Sequence, residues 1–154
     1  MIQIKRTYEP AARTDGHRFL VERLWPRGLK KEKLGADWVK EVAPSTPLRL
    51  WFGHRVDRWE EFQRRYRAEL DGRPGVWRPL RAAGRRGTVT LLYSARDVDH
   101  NSAVVLRDYL RNGNRQTVPK PSRDGLRRAK PGSVHAIRGT GARRSRSRGA
   151  PSPK

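Results

Sequence analysis

The sequence predicts an α/β fold: a small, mainly parallel sheet of about three strands flanked by about five helices, with a disordered C-terminal tail. Three observations carry this. All five Trp, four Tyr and three Phe fall between Tyr8 and Tyr109, so residues 1–112 hold the material of one core and residues 113–154 hold little to bury. The run TVTLLY from Thr88 to Tyr93 is apolar almost without interruption, as expected of a strand covered on both sheet faces. Around it lie segments whose apolar residues recur at helical spacing.

Taken in order, Ile2 and Ile4 alternate with Gln3 and Lys5 and predict a half-buried first strand, which a loop through Pro10 and Asp15-Gly16 follows. RFLVERL from Arg18 to Leu24 predicts a second strand, and Pro26, which cannot donate to a ladder, ends it. Leu34, Trp38 and Val42 at fourfold spacing predict a helix over 30–42, with Gly35 against it and Pro44 stopping it. Thr46-Pro47 reads as an N-cap and first helical residue of a short helix running to Gly53. Asp57 as cap, with Glu60 three residues on, opens a helix striped by Trp59, Phe62, Tyr66 and Leu70. Residues 76–86 predict a further helix, with Pro79 confined to its first turn. After the Thr88–Tyr93 strand, a last helix starts near Val98 or Asp99 and ends at Asn112-Gly113.

Beyond Gly113 the composition turns to Arg, Lys, Ser, Gly and Pro, including the run Arg143-Arg144-Ser145-Arg146-Ser147-Arg148, and disorder is expected. Of the net charge of +21, residues 1–112 carry +10 and residues 113–154 carry +11. A field of that sign attracts RNA and DNA non-specifically through counterion release. With no cysteine there is no disulfide framework, thiolate nucleophile or Cys-based metal site. No signal-peptide pattern or membrane-spanning run appears, and the cytoplasm is the expected compartment.

Ligands on sheet-based α/β domains sit beyond the carboxyl ends of the strands. Two such ends are polar here: Arg23, Arg27 and Gly28 follow the second strand, and Ser94, Arg96, Asp97, His100 and Asn101 follow the last. If these strands are neighbours, both sets face one crevice. Guanidinium groups and a helix N-terminus suit an anionic small molecule or nucleotide. The expected catalytic pair is His100, which can exchange a proton near neutral pH, with Asp97 or Asp99 to orient it. Arg23, Arg27, Ser94, Arg96, Asn101 and His54 are the expected ligand-binding residues. The plainer reading pairs Arg23 and Arg27 with Glu22, Asp97 or Asp99 as structural bridges and leaves Asp97 or Asp99 as a helix cap. His54 and His100 with an aspartate would suit a two-His, one-carboxylate metal site, but no tight spacing supports one. No metal or other cofactor is predicted. No G-x-S-x-G elbow, P-loop or G-x-G-x-x-G fingerprint occurs.

Arg23-Leu24-Trp25-Pro26-Arg27-Gly28, Glu41-Val42-Ala43-Pro44-Ser45, Trp51-Phe52-Gly53-His54 and Leu91-Leu92-Tyr93-Ser94-Ala95-Arg96-Asp97 with His100-Asn101 together resemble the YeaO-like branch of the domain-of-unknown-function 488 family. The resemblance spans residues 1–112 and brings no settled activity. It implies that the crevice is the functional region, since a wider set of similar proteins places a histidine, here His100, after the polar loop of the last strand. It also implies an aspartate, in much of the family, where this chain has Glu22. Two readings follow: a small cytosolic enzyme or binder holding an anionic small molecule, or a protein that associates with nucleic acid through its tail.

Overall fold

The structure, a computed structural model, describes residues 1–113; the tail expected beyond Gly113 lies outside the described residues. In chain order the elements are β1 (Ile2–Arg6), β2 (His17–Leu20), α1 (Lys31–Leu34), β3 (Asp37–Trp38), α2 (Thr46–Phe52), α3 (Trp59–Asp71), α4 (Pro74–Arg86), β4 (Val89–Tyr93) and α5 (Ser102–Asn112). The sheet has four strands in the order β1-β4-β2-β3, all parallel. Every residue of β4 is buried, because it pairs along its length with β1 on one side and β2 on the other. Its Val89, Leu91 and Tyr93 join Phe62, Tyr66 and Leu70 of α3 and Val105, Leu106 and Leu110 of α5 in one core. Each such fully buried side chain contributes roughly 1.5–3 kcal/mol.

The fourth strand is a correction. The helix expected over 30–42 lasts one turn, because Gly35 adopts the left-handed conformation (φ 56°) and ends it. The released chain then adds Asp37 and Trp38 to the open edge of β2, opposite Phe19 and Leu20. Strand β2 stops at Leu20 rather than Leu24. Val21 still donates to Leu92 O at 3.2 Å, but β4 ends at Tyr93 and offers no ladder beyond.

The helix starts shift as well. Ser45, not Thr46, caps α2, its Oγ accepting from Leu48 N, and Pro47 sits within the first turn. Asp57 lies inside a 3-10 turn (Val56–Arg58) and is held by two bonds from Arg55, so the expected capping box with Glu60 does not form. The stripe of Phe62, Tyr66 and Leu70 on α3 is buried as expected. Pro79 stands beyond the first turn of α4, which begins at Pro74. The carbonyl it leaves without an N–H is that of exposed Gly75, which water can serve. Helix α5 begins at Ser102, a turn later than expected, because Asn101 is its cap, accepting from Val104 N at 3.2 Å.

One buried charge ties the sheet edge together. Asp15 accepts from Lys5 Nζ at 3.0 Å and from Ala12 N at 3.0 Å, with Arg18 Nε 3.5 Å away. Burial pushes its pKa up, but the Ala12 N–H, Lys5 and Arg18 outweigh this and hold it below its ordinary 3.8. A depressed folded-state value contributes stability above the ordinary one that is lost as pH falls through the folded one. Asp15→Asn is therefore expected to unfold more easily at pH 7 and to show a shallower loss of stability below about pH 4 than the parent. Urea denaturation of both proteins across that pH range checks this.

Candidate functional site

A cleft of about 360 Å³ opens at the carboxyl ends of β2 and β4. The residues after β2 build one wall and those after β4 the other, because these strands are direct neighbours. The two walls are clamped by Glu22. Its Oε1 accepts from Ser94 N at 2.7 Å and its Oε2 from Ser94 Oγ at 2.5 Å. Both donors of Ser94 are thus committed to a carboxylate, a strong charge-assisted arrangement.

Arg23 is fixed from the third side. Its Nε donates to Pro44 O at 3.0 Å and its Nη2 to Ala43 O at 3.2 Å, so Nη1 keeps its donors while the guanidinium is held in place. The segment it grips is anchored throughout. The carbonyl of Glu41 accepts from Arg73, and that of Val42 from the hydroxyl of Tyr66. Ser45 gives its N–H and its Oγ–H to Glu69 of α3. This explains physically why Glu41 to Ser45 reads as a motif without holding a reactive group.

Phe52 and Phe62 stack at 4.2 Å and supply apolar lining, joined by Trp25. The indole N–H of Trp25 is spent on Leu29 O at 2.6 Å, so it offers the cleft hydrocarbon surface. Arg27 and Arg49 are exposed lining residues whose side chains form no ion pair among the described residues. His54, in the left-handed conformation (φ 57°) after Gly53, also lines the cleft.

Of the residues expected at the site, Arg23, Arg27, His54, Ser94 and Asn101 meet in this cleft. Asn101 is anchored there, its Oδ1 accepting from Val104 N and its Nδ2 donating one N–H to Asp97 O at 2.9 Å. Arg96, Asp97 and His100 stand on the loop before α5 and are not among the lining residues. Asp97 closes a turn by accepting from the N–H groups of His100 and Asp99, both at 2.9 Å, and these bonds lower its pKa. Its second oxygen is 2.9 Å from Nδ1 of His100, whose ring stands edge-on to Trp59 at 5.2 Å. Among the described residues no group of three His, Asp or Glu could hold a metal ion. Neither Arg23 nor Arg27 forms the bridge to Glu22, Asp97 or Asp99 that the plainer reading requires.

Arg49, Tyr8 and Glu22 also line the cleft and were not expected there. Tyr8 follows β1 and reaches the opposite loop, its hydroxyl 3.4 Å from Arg27 O. Only Glu22 left a trace in the sequence, as the acidic neighbour of Arg23.

A small parallel sheet covered by helices, with a polar crevice beyond adjacent strand ends, defines an α/β protein. The chain belongs to the domain-of-unknown-function 488 family: residues 1–124 match the model described as the inactive DUF488-N3 subclade. It is 46% identical over 112 residues to the uncharacterised protein YeaO of Escherichia coli K12, a match covering 72% of this chain and 97% of that protein. It is 38% identical over 111 residues to the uncharacterised proteins Rv3073c of Mycobacterium tuberculosis H37Rv and Mb3100c of Mycobacterium bovis, with 71% of this chain and 92% of each relative covered. No solved structure matches. No helix among the described residues is long and apolar enough to cross a membrane.

Proposed function

We propose that the cleft binds an anionic small molecule, a phosphate- or carboxylate-bearing metabolite or a nucleotide, as a binding site rather than a hydrolytic centre. The observation that carries this is the charge balance of its lining: Arg23, Arg27 and Arg49 against one carboxylate, Glu22, which Ser94 already occupies. The first turn of α5 lies at the same place, with Asn101 and Ser102 in the lining, and adds partial positive charge. Phe52, Phe62 and Trp25 give the body of such a ligand an apolar seat.

Catalysis has weaker support. Ser94 donates its hydroxyl to Glu22 and has no histidine partner, and the acid–base pair expected at His100 and Asp97 stands outside the lining. The word "inactive" in the family description agrees with a binding role. We place the protein in the cytoplasm, in keeping with a chain that uses no cysteine.

A thermal-shift screen of the full chain against inorganic phosphate, dicarboxylates and nucleoside monophosphates tests the reading, because a ligand at 100 times its Kd stabilises by about 2.7 kcal/mol. Arg27→Ala is expected to weaken a genuine hit by roughly tenfold or more, the scale of one lost charged hydrogen bond, with little change in the melting temperature of the free protein. A hit unaffected by both Arg23→Ala and Arg27→Ala would place the ligand elsewhere.

A further inference from the structure

We propose that α4 and the end of α5 form a second, separate binding face, one that takes the phosphate backbone of a nucleic acid. Charge is segregated on this side of the molecule. Helix α3 mixes three arginines with four acidic residues, whereas α4, equally 13 residues long, carries Arg78, Arg81, Arg85 and Arg86 and no acidic residue. On α3, Glu61 pairs with both Arg64 and Arg65, at 2.5 and 2.7 Å. The four arginines of α4 and Arg111 of α5 form no ion pair among the described residues.

The helix dipole accounts for only part of this. Arg85, Arg86 and Arg111 lie in last turns, where a cation is favoured, but Arg78 and Arg81 lie mid-helix, where the dipole offers nothing. Arg78, Arg81 and Arg85 recur at three and four residues and so share one face. Two of them flank Trp77, at 5.9 and 6.0 Å from its ring centre.

Arg81 and Arg85 border a hollow of about 320 Å³ between α4, α5 and the start of β1, with Arg111 on its other side. No acidic residue lines it. Gly84 permits the close approach of α4 to β1, since a Cβ there would stand 2.5 Å from Ile2 Cγ1. Arg111 is steadied by donating to Ile2 O. The hollow sits at the amino end of β1, opposite the cleft, and is therefore independent of it.

The occupant follows from the field. The Met1 ammonium caps the end of α4 through Gly84 O and Gly87 O, both at 2.8 Å, while α5 turns its negative pole toward the region; a single small anion in the hollow reaches only Arg81, Arg85 and Arg111, whereas a row of phosphates is met by the outlying guanidiniums as well. A membrane surface would want apolar anchors, and Met1 is the only large exposed apolar side chain in the lining. Two residues after Arg111 the sequence enters 113–154, with twelve Lys/Arg and one acidic residue, a composition that adds a non-specific attraction for the same polyanion.

The test is fluorescence anisotropy of the full chain with a 20-base-pair DNA duplex over a salt series. The triple variant Arg78→Gln/Arg85→Gln/Arg86→Gln removes exposed charges that form no hydrogen bond or ion pair among the described residues, Arg78 touching only the Trp77 ring. It is expected to lose at least tenfold in affinity at low salt and to flatten the salt slope by two to three, at about 0.9 per phosphate contact. Arg81→Gln should act in the same direction. The control Arg64→Gln/Arg65→Gln, whose cations share an ion pair with Glu61 on a helix rich in acidic residues, should change the slope by less than one. A triple variant with an unchanged slope, or one no different from the control, overturns the proposal, as does a triple variant that binds DNA normally but loses phosphatidylserine vesicles. Arg27→Ala should leave DNA binding intact, which separates this face from the cleft.

Discussion

Gly16→Ala is expected to lower the stability of the protein by about 3–5 kcal/mol, a large share of the 5–15 kcal/mol typical of a domain. Gly16 leads into β2 with φ at 62° and ψ at −136°, a region closed to residues with a Cβ. An added Cβ would also stand 2.1 Å from the carbonyl oxygen of Thr88, the acceptor for His17 N at 2.9 Å that starts the β2–β4 pairing. Neither atom can move without opening the central ladder. Gly35→Ala is the comparison: φ is 56°, but the nearest atom would be the end of the Arg18 side chain at 3.9 Å. It should cost only about 1 kcal/mol, from the backbone alone. Thermal denaturation followed by circular dichroism should show a drop of at least about 15 °C for Gly16→Ala and a drop several-fold smaller for Gly35→Ala.

Glu22→Ala should cost about 2–3 kcal/mol and also weaken ligand binding, because it leaves Ser94 N and Oγ without their acceptors and unclamps the two cleft walls. Glu22→Asp, one methylene shorter, keeps the charge but cannot reach both donors without the walls closing. It should fall between the two in stability and change ligand affinity. Urea denaturation together with the thermal-shift screen measures both effects. If Glu22→Ala destabilised the protein while ligand affinity stayed at the parent level, the clamp would be purely structural.

The sheet centre and the long helices were legible because their signal is local. TVTLLY needs no context to read as a buried strand, and the Phe62, Tyr66, Leu70 stripe fixes the inner face of α3. Strand β3 was not, since two residues with no strand pattern are recruited by the free edge of β2 once Gly35 breaks the helix. Helix starts slipped where a polar side chain had several possible employers. Asp57 went to Arg55 and Asp97 to the turn before α5, leaving Asn101 as the cap.

The two strand ends face one another because β2 and β4 are neighbours, but of the residues expected after β4 only Ser94 and Asn101 line the cleft, and Arg96, Asp97 and His100 do not. What the sequence could not show is commitment. It does not reveal that Glu22 absorbs Ser94, that Arg23 is held by backbone carbonyls, or that α2 brings Arg49 to the cleft. It equally hides the difference between arginines. Arg64, Arg65, Arg85 and Arg86 look alike as an even spread of charge, yet the first two are ion-paired with Glu61 and the last two have no ion-pair partner among the described residues.

Backbone amide chemical-shift mapping of the full chain with the best small anion from the screen is the most direct measurement of the cleft as the ligand site. The expected result is a set of saturable shifts confined to residues 22–28, 43–54 and 94–102, with a midpoint raised by roughly tenfold or more in Arg27→Ala. Shifts centred instead on Arg81, Arg85 and Arg111, or a midpoint unchanged in both Arg23→Ala and Arg27→Ala, would contradict it.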